Sequence, residues 1–180
     1  MESDYLFISK RLGFSPWQAA DVQTMYEQVN SDPEVMRYFP AVQTRAQTQN
    51  LYERMEAQYR KSGYCYFVCE GLESGEFIGM IGMMDICFEA PFTPATDIGW
   101  RLAKKAWGMG YATEGASRVL QWAEENTKLD KIVADCPVVN KPSERVMQKI
   151  GMRKGGEFTN PLLPDSPHLQ QCVWYEKKLR

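Results

Sequence analysis

The chain has 180 residues, of which 44% are hydrophobic and 24% charged, and its formal net charge at pH 7 is -2. This length and composition are typical of one globular domain, which we predict over residues 1–180. The charge argues against a nucleic-acid partner, which usually requires a basic face, and the most apolar run (residues 77–84) is too short to cross a membrane.

The cysteines and histidine predict neither disulfides nor a metal site. There are five cysteines, no C-x-x-C pair and one histidine, His168, in a proline-rich loop. An odd number of cysteines without metal-ligand spacing is typical of reduced thiols. We therefore expect a cytoplasmic protein that binds no metal.

The first half of the chain predicts a strand followed by helices. Residues 5–15 are expected to form the strand, and Ser15-Pro16-Trp17-Gln18 has the spacing of a capping box with proline at the first helical position. Thr44 and Gln47 form a second capping box, and Gly63 is expected to end that helix. The predicted apolar faces of the two helices are Val22, Met25, Tyr26 and Val29, then Leu51, Tyr52, Met55 and Tyr59.

The second half is richer in β-favouring residues. One helix is expected after Gly110, and another is expected to be capped by Asn140 and stopped by Gly151. Strands are predicted over residues 64–70, 77–88, 95–102, 131–136, 152–158 and 169–179. The strands before and after the helix that follows Gly110 form a βαβ unit with it and are expected to be parallel. The fold predicted is α+β, with a mixed, mostly antiparallel sheet of about seven strands and about four helices.

A glycine loop, "KAWGMG" (residues 105–110), joins the third of these strands to its helix. The first turn of a helix leaves backbone N–H groups free and carries partial positive charge, and glycines let the backbone approach a phosphate closely. Lys104 and Lys105 add full charges. The loop therefore predicts an anion site, although a plain strand-to-helix turn explains the glycines equally well.

Two common phosphate motifs do not match this loop. The Walker A pattern is absent, and the dinucleotide pattern G-x-G-x-x-G fails because Thr113 stands where its third glycine belongs. The preceding antiparallel strands also differ from a doubly wound sheet. A dinucleotide-binding oxidoreductase is therefore a disfavoured interpretation.

Residues 97–115 ("DIGWRLAKKAWGMGYATEG"), followed by residues 138–154 ("VVNKPSERVMQKIGMRK"), resemble the GNAT superfamily of N-acetyltransferases, and more narrowly its ribosomal-protein-alanine N-acetyltransferase branch. The loop corresponds to that family's [QR]-x-x-G-x-[GA] pattern, with Lys105 at its first position. The later pattern N-x-x-S-x-x-V-x-x-K-x-G-M begins at Asn140. The resemblance covers nearly the whole chain and implies a sheet whose central parallel pair splays apart to hold acetyl-CoA.

The resemblance also implies the residues that hold the donor. Backbone amides of the loop and the next turn would bind the pyrophosphate, strand backbone near Trp100 would pair with the pantetheine and polarise the thioester carbonyl, and Asn140 would hydrogen-bond the pantetheine arm. A helix N-cap is the alternative role of Asn140, and the two are compatible because the cap uses only its side-chain oxygen. The implied set is Trp100, Arg101, Leu102, Lys105, Ala106, Trp107, Gly108, Met109, Gly110, Tyr111, Ala112 and Asn140.

The catalytic groups are less well defined. Many members of the superfamily protonate the leaving thiolate with a tyrosine, but no tyrosine lies between Tyr111 and Tyr175. Ser143 is the candidate acid, with a structural role at the helix start as the alternative. Asp97 is the first candidate for the base that deprotonates the amine and Asp85 the second, and either carboxylate alternatively serves a salt bridge.

The expected reaction is direct acetyl transfer from acetyl-CoA to a primary amine in a ternary complex. The amine belongs to a protein N-terminus or a small molecule, and residues 32–42 and 158–169 are expected to wall its site. A monomer and a homodimer both remain open. The rival function is a non-catalytic acyl-CoA-binding module or sensor, which the missing tyrosine favours.

Overall fold

A computed structural model describes residues 5–180 as one sheet of eight strands flanked by helices. The strand order across the sheet is β1-β2-β3-β4-β5-β6-β8-β7. All neighbouring strands are antiparallel except β5 and β6, which are parallel. The strands are β1 (Phe7–Ile8), β2 (Leu12–Ser15), β3 (Tyr66–Gly71), β4 (Phe77–Asp85), β5 (Thr96–Leu102), β6 (Lys131–Pro137), β7 (Arg153–Thr159) and β8 (Gln171–Lys178).

Five α-helices connect these strands in residues 5–180, together with short 3-10 and π-helical turns. They are α1 (Asp21–Met25), α2 (Arg45–Ser62), α3 (Tyr111–Asn126), α4 (Lys141–Lys149) and α5 (Pro167–Gln170). A π-helical turn, Tyr26–Asn30, continues α1, and a 3-10 turn, Val35–Tyr38, precedes α2. The predicted α+β class and mostly antiparallel sheet are confirmed, with one strand more than expected.

The capping box at the start of α2 is confirmed. The Thr44 hydroxyl accepts from the Gln47 backbone N–H at 3.2 Å, and the Thr44 backbone N–H donates to the Gln47 side-chain oxygen at 2.7 Å. The helix ends at Gly63, which has a φ of 76°, a left-handed conformation that glycine adopts without steric cost. Local sequence signals therefore fix both ends of α2.

Replacing Thr44 with alanine removes one half of this box. We expect Thr44→Ala to lower the free energy of unfolding by about 1 kcal/mol, which corresponds to roughly 2–4 °C in the thermal midpoint. Thr44→Ser keeps a hydroxyl acceptor and is expected to stay within 1 °C or so of the wild type. Thermal unfolding of the two variants side by side measures the difference, and equal midpoints would contradict a stabilising cap.

Two predictions for the N-terminal region are wrong. Residues 5–15 do not form one strand, because β1 and β2 pair as a tight hairpin. The predicted capping box at Ser15 does not start a helix: Ser15 pairs with Val68 as the last residue of β2, and helix α1 begins only at Asp21. Trp17 holds the intervening chain against the sheet, since its indole N–H donates to the Tyr66 carbonyl at 2.6 Å.

The parallel strands β5 and β6 separate near the middle of the sheet. Their register contains a single pair, Asp97 with Val133, whereas β4 and β5 are paired along seven positions, from Gly79–Leu102 to Asp85–Thr96. Beyond Asp97 the two strands diverge, and the sheet opens into a gap. No helix in residues 5–180 is both long and apolar enough to cross a membrane.

Candidate active site

A cavity of about 690 Å³ occupies the gap between β5 and β6. The glycine loop, the first turns of α3 and α4 and two further loops line it. These loops lie within the segments predicted to wall the acceptor site, and they contribute Glu34, Val35, Arg37, Tyr38, Phe39 and Pro40, then Asn160, Leu162 and Leu163. The cavity therefore connects the predicted donor and acceptor regions.

The glycine loop has the backbone shape that its sequence predicts. Gly108 and Gly110 have φ values of 74° and 80°, in the region that favours glycine, and Gly110 is the residue from which α3 starts. The preceding residues form a 3-10 turn in which the amides of Ala106 and Trp107 already donate to Ala103 and Lys104. Those two amides are therefore not free for a ligand, contrary to the prediction.

The free amides lie slightly later than predicted. Within the part of the chain that the structure describes, no carbonyl or side chain accepts from the backbone N–H groups of residues 108–113, and no side chain caps α3. Gly108, Gly110, Tyr111, Ala112 and Thr113 all line the cavity. A helix N-terminus with several unpaired donors, next to two glycines in left-handed conformation, matches an anion such as a pyrophosphate.

The side chains of the loop mostly point elsewhere. Lys104 and Lys105, expected to add charge, pair with Glu34 at 3.6 Å and with Glu76 at 3.8 Å, and Lys105 does not line the cavity. The Trp107 indole N–H donates to the Leu102 carbonyl at 3.0 Å, which ties this side chain to the end of β5.

Arg11 braces the loop from the hairpin. Its guanidinium donates to the Met109 carbonyl at 3.0 Å, pairs with Glu114 at 2.7 Å and lies 4.5 Å from the centroid of the Tyr111 ring. Met109 itself is exposed and does not line the cavity. These contacts fix the conformation of the loop before any ligand binds.

Asn140 and Ser143 lie where the sequence places them. The Asn140 side-chain oxygen accepts from the Ser143 backbone N–H at 3.2 Å, so Asn140 is the N-cap of α4. Its side-chain amide donates to nothing in residues 5–180, and both residues line the cavity. Asn140 can thus cap the helix and still offer two N–H donors to a ligand.

Asp97 lies in the cavity wall with two neighbours that the sequence did not single out. The Tyr66 hydroxyl donates to the Asp97 carboxylate at 2.6 Å, and Asp135 lines the cavity from β6. Both aspartates line the cavity, and burial raises the pKa of Asp97 to about 7 and that of Asp135 to about 6. The charge of Asp135 raises the pKa of Asp97 further, while the Tyr66 hydrogen bond lowers it.

A carboxyl group with a pKa near 7 suits proton transfer at neutral pH. Asp85, the second candidate, lies outside the cavity. It accepts from Tyr64 at 2.7 Å and Thr96 at 3.1 Å, and its hydrogen bonds, that from Lys61 included, hold its pKa at about 2 despite partial burial. His168 is exposed on α5 and does not line the cavity.

The Arg101 side chain is a further feature that sequence reasoning missed. It was expected to act through its backbone, but the half-buried side chain reaches into the cavity wall, donates to the Asn30 side-chain oxygen at 2.8 Å and lies 4.1 Å from the centroid of the Phe39 ring. Asp135 could have been found from the sequence, because it is a charged residue that interrupts an apolar strand. Nothing in the sequence marks Tyr66 or the partners of Arg101.

No group of three or more metal-ligating side chains occurs within residues 5–180. That the protein binds no metal stays a prediction from the composition of the chain.

Comparison with known proteins gives consistent matches along the chain. The family model described as an acetyltransferase (GNAT) domain matches residues 11–153. YnaD, an uncharacterised N-acetyltransferase of Bacillus subtilis, is 30% identical over 151 residues, which are 83% of this chain and 84% of the relative. A solved GNAT-family acetyltransferase from Bacillus anthracis is 29% identical with a TM-score of 0.77, over 96% of this chain and 97% of that one.

A more distant structure shares the fold. The spermidine N-acetyltransferase of Vibrio cholerae, solved in complex with CoA and spermine, is 15% identical with a TM-score of 0.74, over 93% of this chain and 95% of that one. At this identity the likeness concerns the fold alone.

Proposed function

The chain belongs to the GNAT acetyltransferase domain family and is an acyltransferase, and from this premise we propose that it transfers the acetyl group of acetyl-CoA to a primary amine by direct attack in a ternary complex. One observation carries the proposal. A single cavity joins a set of unpaired backbone amides, at residues 108–113, to a carboxyl group of raised pKa, Asp97. The first feature suits a phosphate-bearing donor and the second suits deprotonation of an amine.

The residues present fit acetyl-CoA. The amides of residues 108–113 would hold the pyrophosphate, the diverging edge of β5 near Trp100 and Arg101 would pair with the pantetheine, and the free Asn140 amide would donate to the same arm. The complex of the Vibrio cholerae neighbour with CoA supports this choice of donor for the fold. Lys105 and Met109 would contribute only through the shape of the loop, because neither side chain lines the cavity.

The chemistry requires one proton to be removed from the amine and one to be supplied to sulfur. Bound acetyl-CoA supplies the acetyl group, and a C–N bond replaces the C–S bond as CoA leaves as a thiol. Asp97 accepts the amine proton directly or through water, and an N–H of β5 near Trp100 polarises the thioester carbonyl. Ser143 lines the cavity and is the proposed acid for the sulfur, a modest contribution because a thiol of pKa ~8.5 leaves readily.

Two acceptor classes follow from the family resemblance. A protein N-terminal amine has a pKa near ~8 and needs only a weak base, whereas a lysine-like amine, at pKa ~10.4, needs a stronger one. The motif from Asn140 to Met152 supports the ribosomal-protein-alanine branch and thus an N-terminal amine. A small-molecule amine is kept as the second class because the Vibrio cholerae neighbour, which shares the fold alone, was solved with spermine. The enzyme would work in the cytoplasm, as a monomer or a homodimer.

Donor binding and turnover test the proposal separately. At acetyl-CoA concentrations of about 100 Kd, the thermal midpoint is expected to rise by roughly 5–11 °C, with NADH as the inactive control. Release of free thiol in the presence of an amine then measures acetyl transfer. Binding without turnover on any amine would identify an acyl-CoA-binding module, and a shift with NADH alone would indicate a nucleotide enzyme.

Asn140 offers a way to separate its two roles. Asn140→Ser keeps a side-chain oxygen for the helix cap but loses the amide donors, so we expect an unchanged thermal midpoint and acetyl-CoA affinity about 5- to 10-fold weaker. Asn140→Ala loses both and is expected to lower the midpoint by roughly 2–6 °C as well. Titration calorimetry with acetyl-CoA and thermal unfolding measure the two effects. Unchanged affinity in both variants would leave Asn140 as a helix cap only.

A further inference from the structure

The Arg101 side chain is a cation without a compensating anion. Within residues 5–180 it forms no ion pair, and its Nε is buried without a hydrogen-bond partner. Its contacts are the neutral Asn30 oxygen and the face of the Phe39 ring. A desolvated cation in such surroundings is costly unless an anion pairs with it.

The surrounding residues hold this side chain in place. Asn30 is fully buried, and its side-chain amide donates to the Thr48 hydroxyl at 3.0 Å, which in turn donates to the Thr44 carbonyl at 3.1 Å. This chain orients the Asn30 oxygen towards Arg101. The guanidinium is therefore fixed at the cavity wall by neutral groups that leave its charge available.

Arg101 and Asp97 lie on the same face of β5, because they are four positions apart and side chains alternate along a strand. Their Cα atoms are therefore about 13 Å apart. Between them lies Gly99, where an added Cβ would meet the Tyr66 ring at 3.0 Å. The acceptor side of the cavity thus has an acidic end, Asp97 with Asp135, and a basic end at Arg101, separated by Tyr66.

We propose that the acceptor amine also carries a carboxylate, which pairs with Arg101 while the amine lies at Asp97. This proposal rests on the proposed acetyl transfer and narrows its substrate class. The separation of the two Cα atoms favours an acceptor whose amine and carboxylate are several bonds apart over a single α-amino acid, in which the two groups are adjacent. The proposed substrate class comprises ω-amino acids and peptides whose N-terminal residue is followed by an acidic residue.

Matched pairs of acceptors test the proposal. The pairs are 6-aminohexanoate with 6-aminohexanamide, and the amidated dipeptides Ala-Glu and Ala-Gln, which differ only in the charge of the distal group. We expect kcat/KM to be 10- to 100-fold higher for each carboxylate, as for a hydrogen bond to a charged group. Equal values within each pair, or a preference for spermine over all of them, would overturn the proposal.

Variants then assign the preference to Arg101. Arg101→Gln is expected to abolish the difference within each pair while acetyl-CoA still raises its thermal midpoint. Arg54→Gln is the control, because Arg54 lies nearby on α2 and contacts Met84 but does not line the cavity. If Arg101→Gln weakens acetyl-CoA binding and leaves the acceptor preference intact, Arg101 serves the donor and the proposal is wrong. Should this variant not fold, the comparison on the wild type still decides.

A binding measurement separates this proposal from the proposed reaction. The thermal midpoint of the CoA complex is measured with each member of the pairs. Greater stabilisation by the carboxylates supports Arg101 as their site even if no acetyl transfer occurs, in which case only the proposed reaction fails. Equal stabilisation within each pair contradicts the proposal, whether or not the enzyme turns over.

Discussion

Gly110→Asp is expected to weaken acetyl-CoA binding by at least about 100-fold and to abolish the donor-induced rise in thermal midpoint. Gly110 has a φ of 80° and begins α3, where the unpaired amides face the cavity. A carboxylate at this position adds negative charge beside the amides that would hold the pyrophosphate. It also lies next to the Arg11 guanidinium, whose Nη2 would be 3.6 Å from the added Cβ, and so competes for the contact that holds the loop at Met109. Isothermal titration calorimetry with acetyl-CoA measures the loss directly.

Gly63→Asp is the matched control for this variant. Gly63 also has a positive φ, 76°, at the end of a helix, and no atom lies within 4 Å of the position of an added Cβ. Both substitutions carry a similar backbone cost of about 1–2 kcal/mol, and both add one negative charge. Gly63→Asp is therefore expected to be less stable but to keep its acetyl-CoA affinity. Equal loss of affinity in both variants would attribute the effect to general destabilisation.

Asp97→Asn is expected to lower kcat by roughly 100-fold with acetyl-CoA affinity unchanged, since general base catalysis contributes about 10²–10⁴-fold. The pH profile gives the more specific result. Burial raises the pKa of Asp97 to about 7, and only the ionised form accepts a proton. The kcat/KM of the wild type is thus expected to rise with pH up to pH 7 or so, and the profile of the variant is expected to lack this inflection. The inflection near pH ~8 that comes from an α-amine acceptor stays in both profiles.

Asp85→Asn provides the comparison, since Asp85 lies on the adjacent strand but outside the cavity. We expect it to destabilise the fold through its lost hydrogen bonds and to keep the pH profile of the wild type. The neighbouring Asp135 has a pKa raised to about 6, which makes it the alternative base. Full activity of Asp97→Asn together with loss in Asp135→Asn would move the role to Asp135.

The elements that the sequence predicts well are those with local causes. Thr44, Gln47 and Gly63 bound α2 through contacts within a few residues, and Asn140 caps α4 in the same way. The box at Ser15 has equally good spacing but fails, because pairing with Val68 in the sheet competes for the same backbone. The difference is therefore the competing tertiary contact, which a local pattern does not contain.

The cavity residues likewise divide into those that local sequence signals predict and those that depend on distant partners. The glycine loop and Asn140 are visible in the sequence because backbone conformation and capping demand particular residue types. Tyr66 and Arg101 are not, since their significance comes from partners far away in the chain, Asp97 for the first and Asn30 for the second. The sequence does not show the surroundings of Lys104 and Lys105 either, because the glutamates that partly neutralise their charges are distant in the chain.

The single pair between Asp97 and Val133 has a mechanical consequence. It leaves β1–β5 and β6–β8 as two half-sheets whose backbones meet at one point, although apolar side chains from both pack into a continuous core. Partial unfolding is expected to start along such a seam, because few hydrogen bonds must break there. A donor bound as proposed, to β5 and to Asn140, would span the seam. We then expect amide hydrogen exchange along the facing edges of β5 and β6 to slow when it binds.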